Sequence, residues 1–107
     1  MTTFDNREQA FEAKFSRDEE LRFKVNARRN RLLGVWASEL MRLTPAETDG
    51  YARDVVHSDF EEAGDAGVVR KLLGDLISAG VDIDEARIRA AMEDKTIEAR
   101  RQLMESL

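Results

Sequence analysis

From Phe4 to Leu40 the chain runs without a proline and with a single glycine, Gly34. Almost every other residue in that stretch is a fair or good helix former, so a long helical segment is the strongest constraint on the fold. Two patterns are written in it. From Leu21 onward, Leu21, Val25, Leu32, Trp36 and Leu40 recur at steps of four or seven, which keeps one face of a helix apolar. Before that, Phe4, Phe11 and Phe15 stand among Asp5, Arg7, Glu8, Glu12 and Lys14. Between the two halves, Ser16-Arg17-Asp18-Glu19 spells a capping box that would let a helix start afresh at Arg17. The expected division is an amphipathic arm over residues 1–16 and a helical bundle over residues 17–107.

Further along, Thr44-Pro45-Ala46-Glu47 combines a capping threonine, a proline at the first helical position and a glutamate at the third. That combination predicts a helix start. Tyr51, Val55, Val56 and Phe60 give this second helix its apolar side, and Gly64 can end it in the left-handed conformation. Val68, Val69, Leu72, Leu73, Leu76 and Ile77 form a wide stripe on a third helix, which Gly80 stops. Asp84 is a good cap for a fourth, with Ile83 and Ile88 as the apolar staple across it and Met92, Ala99 and Leu103 continuing its inward face. No segment alternates with period two, so no strand is expected. The predicted class is all-α, a small four-helix bundle with a mobile, partly helical N-terminal arm. Its expected core is Leu21, Val25, Leu32, Trp36, Val55, Phe60, Leu72, Leu76, Ile88, Met92 and Leu103.

Composition narrows the function classes. The 107 residues include no cysteine and one histidine, which excludes thiolate metal sites and disulfides and removes most catalytic triads. His57, Ser58 and Asp59 are consecutive on a helix and point about 100° apart, so they cannot form a relay. The glycines match neither a phosphate loop nor a dinucleotide fingerprint. No catalytic residue, metal or cofactor is expected. Apolar runs are too short for a membrane span, and the acidic N-terminus does not read as a targeting peptide; the expected location is the cytoplasm. Net charge is −5, and residues 21–34 form a basic belt of five bases without an acid. The acidic remainder would repel phosphate and weighs against nucleic acid.

Recognition by a helix remains. Phe11 and Phe15 lie one turn apart and Phe4 two turns earlier. Burying three phenylalanines contributes ~5–9 kcal/mol, whereas ordering the arm costs about 1–2 kcal/mol per residue, partly offset by helical hydrogen bonds. An arm of this length is expected to flicker when free and to become ordered only where a groove accepts the phenylalanines. The basic segment Arg28-Arg29-Asn30 is a second candidate docking face, since arginine makes directional contacts with carboxylates.

The motifs FDxREQAFEAKF, DEELRFK, ARRNRLLGVWA, DFEEAG and AGVDI, spread from Phe4 to Ile88, resemble the zeta subunit of alphaproteobacterial F-type ATP synthases, an ATPase-inhibitor family. The resemblance implies a four-helix bundle with an inhibitory arm that wedges into the catalytic αβ interface against the central rotor and blocks hydrolysis. It places Phe4, Asp5, Arg7, Glu8, Ala10, Phe11, Glu12, Lys14 and Phe15 on that arm, and Arg28, Arg29 and Asn30 on the first bundle helix. The implied partners are the alpha, beta and gamma subunits of the catalytic head. The free chain is expected to be a monomer, peripheral to the inner membrane when bound. The mitochondrial inhibitor works analogously under histidine control; no histidine stands in this arm, which excludes that switch here. The alternative class is a helical adaptor or assembly module that docks an acidic partner through its basic face without inhibiting it.

Overall fold

Two helix starts and two helix stops are built from side chains and turns that the sequence specifies locally. At the start of the second helix, the Thr44 amide donates to Glu47 Oε1 at 2.8 Å and the Glu47 amide donates to Thr44 Oγ1 at 3.2 Å. Both arms of the capping box are therefore made. At the fourth helix, Asp84 Oδ1 accepts from the Arg87 amide at 2.9 Å, and Ile83 and Ile88 both join the core as the staple predicts. The third helix ends in a Schellman turn. The Val81 amide donates to the Leu76 carbonyl at 3.0 Å and the Gly80 amide to the Ile77 carbonyl at 2.9 Å, with Gly80 at φ 82°. The first helix ends the same way, through Leu43 to Ser38 and Arg42 to Glu39, but its left-handed position is held by Arg42 at φ 60°. Arg42 accepts the steric cost that a glycine would avoid.

The computed structural model describes the backbone of residues 3–61 and 64–106, and the side chains of these from residue 17 onward. Within those residues there are four helices and no strand: α1 (Thr3–Met41), α2 (Pro45–Glu61), α3 (Ala66–Ser78) and α4 (Glu85–Glu105). The expected all-α four-helix class is what the chain adopts. α1 packs against all three other helices, whereas α2 and α4 do not meet among the described residues.

α1 is unbroken from Thr3 to Met41, so the Ser16-Arg17-Asp18-Glu19 capping box does not restart a helix as the sequence suggested. A box of this kind competes with continued helical hydrogen bonding, and residues such as Arg17, Glu19 and Glu20 favour continuation. At 39 residues α1 is far longer than α2, α3 or α4, with 17, 13 and 21. Residues 17–24 are all exposed, and among the described side chains of α1 the first buried one is Val25.

The core brings together Leu33, Ala37, Val55, Val68, Val69, Leu72, Leu76, Ile88, Ala91 and Met92. This corrects the expected core at several places. Leu21 and Phe60 are 50% and 64% exposed, and Ile77, expected only on the α3 stripe, is 56% exposed. Leu32, Trp36 and Leu103 are half-buried, with Trp36 packed on the edge of the core. On α1 the fully buried positions are Asn30, Leu33, Ala37 and Ser38. The cause lies in how closely α1 and α2 approach. A Cβ on Gly34 would stand 2.5 Å from Ala52 Cα, so the backbones are in contact there. Small residues flank the contact, and Ser38 satisfies its buried hydroxyl by donating to the Gly34 carbonyl at 2.7 Å. The apolar stripe turns with that contact, so Leu33 faces the core and Leu32 its margin.

Two expectations follow. Gly34→Ala improves intrinsic helix propensity but forces α1 away from α2, and denaturant unfolding should show a net loss of about 1–3 kcal/mol. The Thr44 hydrogen bonds, backbone first, hold the Glu47 carboxyl below its ordinary value of 4.5. A depressed folded pKa contributes stability that is present above the ordinary glutamate range and lost as pH falls through the lowered value. The difference in melting temperature between the parent and Glu47→Ala should therefore shrink on acidification below pH 4.5.

Candidate functional site

The sequence singled out two candidate surfaces, and they fare differently. Arg28, Arg29 and Asn30 lie on α1 just inside the bundle. Arg28 is half-buried and its Nη1 donates to Gln102 Oε1 of α4 at 3.5 Å. Arg29 is 5% exposed and Asn30 fully buried, and Arg29 Nε donates to Asn30 Oδ1 at 3.0 Å. Arg29 Nη2 also lies 3.0 Å from Asp65 Oδ1. That approach is an ion pair without the alignment of a directed hydrogen bond, and Nη2 and Asn30 Nδ2 have no hydrogen-bond partner among the described residues.

Arg29 thus reaches from α1 to the residue that opens α3. Asp65 occupies the N-cap of α3 but makes no side-chain cap hydrogen bond; its carboxylate is drawn to the guanidinium instead. The carboxylate still sits favourably at the positive end of the α3 dipole. Arg29 and Asn30 are interior fastenings in this fold rather than groups presented to a partner. Arg31, like Arg22 and Lys24 earlier in the belt, is exposed. It meets Asp49 at 3.2 Å, and Asp49 also takes Arg53 at 2.7 Å, forming a surface bridge from α1 to α2.

The interior signal was partly present in the sequence, since an arginine one helical turn from Val25 and from Leu32-Leu33 falls on the inward side. What the sequence could not supply was the acidic partner, because Asp65 is far along the chain. A cleft of about 470 Å³ opens beside this pair, lined by Arg29, Asp65, Arg89, Glu93 and Arg100 among others. A second, of about 510 Å³, runs between residues 18–26 of α1 and Leu103 and Met104 of α4.

The arm positions are Phe4, Asp5, Arg7, Glu8, Ala10, Phe11, Glu12, Lys14 and Phe15. Their backbone belongs to α1, and their side chains lie outside the described residues. Further along, α2 and α3 are tied by Tyr51, whose hydroxyl donates to Asp75 Oδ2 at 2.7 Å, with Lys71 Nζ 3.1 Å from the same oxygen. Burial, then the Asp75 hydrogen bond and charge, push the Tyr51 hydroxyl above its ordinary pKa. His57 is exposed on α2 and stands edge-on to Phe60, with ring centroids 6.3 Å apart. Among the described residues there is no group of three or more histidine, cysteine, aspartate or glutamate side chains that could hold a metal, and no helix long and apolar enough to cross a membrane.

Four helices, a first helix that outreaches its neighbours and a site made of helix surface define a small all-helical bundle with an extended leading helix. The model of the family described as ATPase inhibitor subunit zeta matches residues 1–102. The chain belongs to that family, and so to the inhibitor subunits associated with ATP synthase. A structure solved by solution NMR is 44% identical, with a TM-score of 0.72 over 81% of this chain and 99% of that one. No curated protein matches.

The Arg29–Asp65 tie generates a prediction. Asp65→Ala removes the charged partner that the buried Arg29 guanidinium has among the described residues, and also the acidic group at the α3 N-terminus. Because Asp65 itself is half exposed, the loss should be moderate, about 1–3 kcal/mol in urea unfolding. Asp65→Glu should restore part of it.

Proposed function

We propose that this chain inhibits ATP hydrolysis by an F-type ATP synthase, inserting the N-terminal part of α1 into the catalytic αβ interface against the central rotor. The match to the inhibitor-subunit family over residues 1–102 is the observation that carries the reading. The form of α1 supports it: the helix continues to Thr3, while residues 17–24 are exposed and, among the described side chains, burial begins only at Val25. An obstruction to rotation must transmit force, and a helix continuous with a packed bundle does so better than a flexible tail.

In this reading the division falls into an inhibitory arm over residues 1–16 and a bundle that anchors it. Phe4, Phe11 and Phe15 supply apolar contact to the groove, with Asp5, Arg7, Glu8, Glu12 and Lys14 on its polar rim and Ala10 allowing close approach. The partner surface is the alpha, beta and gamma subunits of the catalytic head. The free chain is a monomer and becomes peripheral to the membrane only through that assembly. Arg29 and Asn30 contribute by holding α1 to the bundle, and the direct contact is assigned to the arm.

Inhibition of ATP hydrolysis, measured against concentration of the added chain, tests this. Phe11→Ala/Phe15→Ala should leave the melting temperature nearly unchanged and weaken inhibition by roughly two to four orders of magnitude, the equivalent of ~3–6 kcal/mol of lost burial. A chain lacking residues 1–16 should not inhibit. Equal inhibition by the double variant would remove the phenylalanine wedge, and no inhibition by the parent would leave the adaptor role.

A further inference from the structure

Phe23 of α1 and Phe60 of α2 are the most exposed aromatic side chains among the described residues, at 57% and 64%. They are not scattered. Their ring centroids lie 5.8 Å apart with the planes tilted by 45°, and the His57 ring stands against Phe60. Two neighbouring phenylalanines from different helices, each largely in water, present apolar surface of the kind that clusters at protein interfaces.

We propose that Phe23 and Phe60 form a second docking point, borne by the bundle, for the same partner that receives the arm, and that the surface they meet there is basic with an apolar recess. The inference rests on the inhibitor reading above. Its first support is continuity. Phe23 lies on the same unbroken helix as Phe15, eight residues on, which is about 12 Å further along and about 80° around the axis. A groove holding the arm along one side therefore meets Phe23 at its rim, and Phe60 stacks beside it. The second support is charge. The α2 segment around Phe60, residues 53–61, carries Asp54, Asp59 and Glu61 against Arg53 alone, and Arg53 is already held by Asp49 at 2.7 Å. The α1 charges beside Phe23 pair among themselves, Arg22 with Glu19 at 3.6 Å and Lys24 with Glu20 at 3.2 Å. The surface offered is aromatic and acidic on its α2 side, which selects a positively charged partner face.

The arrangement has a mechanical consequence. A wedge fixed only at its tip can pivot, whereas a second contact on a different helix fixes its direction, and two linked contacts bind more tightly than either alone.

The test titrates purified catalytic head with the full-length parent, Phe23→Ala/Phe60→Ala and Asp59→Lys/Glu61→Lys, reading ATP hydrolysis, with a melting curve for each. The expected result is that the parent inhibits and the aromatic variant reaches the same maximal inhibition at a concentration about 10- to 100-fold higher. The charge variant, which keeps both rings, should also need more protein, and its deficit should shrink at high salt. If the parent inhibits and both variants match it, the second docking point is overturned and the inhibitor reading stands. Stronger inhibition by the charge variant overturns the basic partner face. Self-association of the parent in sedimentation, lost in the aromatic variant, assigns the patch to a second copy and overturns the proposal. A parent that does not inhibit overturns both readings.

Discussion

Where α1 meets α2, the backbone at Gly34 stands against Ala52 with no room for a methyl group between them. The arrangement of the bundle depends on that contact. Close approach brings Ala37 and Ser38 inside and rotates Leu33 onto the core formed with Val55, Leu72 and Leu76. Tight backbone contact also accounts for the buried hydroxyl of Ser38, which finds its acceptor within its own helix and needs nothing from α2. Shape complementarity at this crossing, rather than a large apolar side chain, aligns the longest helix.

Once α1 is fixed against α2, its polar interior residues have defined destinations. Arg29 crosses to Asp65 at the opening of α3, and Arg28 reaches Gln102 on α4. These contacts tie the leading helix to the two helices that come later in the chain. Buried ion pairs contribute little net stability because desolvation offsets attraction, but they penalise arrangements that leave the arginine unpaired. Arg29 therefore acts on the placement of α3 relative to α1, and the Tyr51–Asp75–Lys71 group does the same between α2 and α3. The bundle becomes a defined platform from which α1 extends.

That extension connects fold to function. The 39-residue α1 is held to the bundle by its C-terminal half, where its described buried side chains lie, and is far longer than the helices of 13 to 21 residues around it. Leu21 and Phe23, upstream of Val25, are half or more exposed. Membership of the ATPase inhibitor zeta family supports an inhibitor role, and the proposed obstruction would draw on both a leading helix and an anchor.

Much of this was written locally in the sequence. The capping box at Thr44 and Glu47, the Asp84 cap, the Gly80 stop and the stripe through Val68, Leu72 and Leu76 depend on neighbours within a turn or two, so residue identities alone determined them. The motifs that resemble the inhibitor family are likewise contiguous, and the class of protein followed from them. Other features depended on residues far apart in the chain. Whether the box at Ser16 restarts a helix is a competition between two local solutions, and α1 continues. Phe60, Leu21 and Ile77 have helical spacing suited to a core, yet the other helices end or turn away before covering them. Arg29 and Asn30 read as a docking face because basic residues are ordinarily solvated; the Gly34–Ala52 contact turns them inward, and Asp65 supplies the charge. Periodicity specifies which residues share a face, and only the crossing of the helices decides how much of that face is covered.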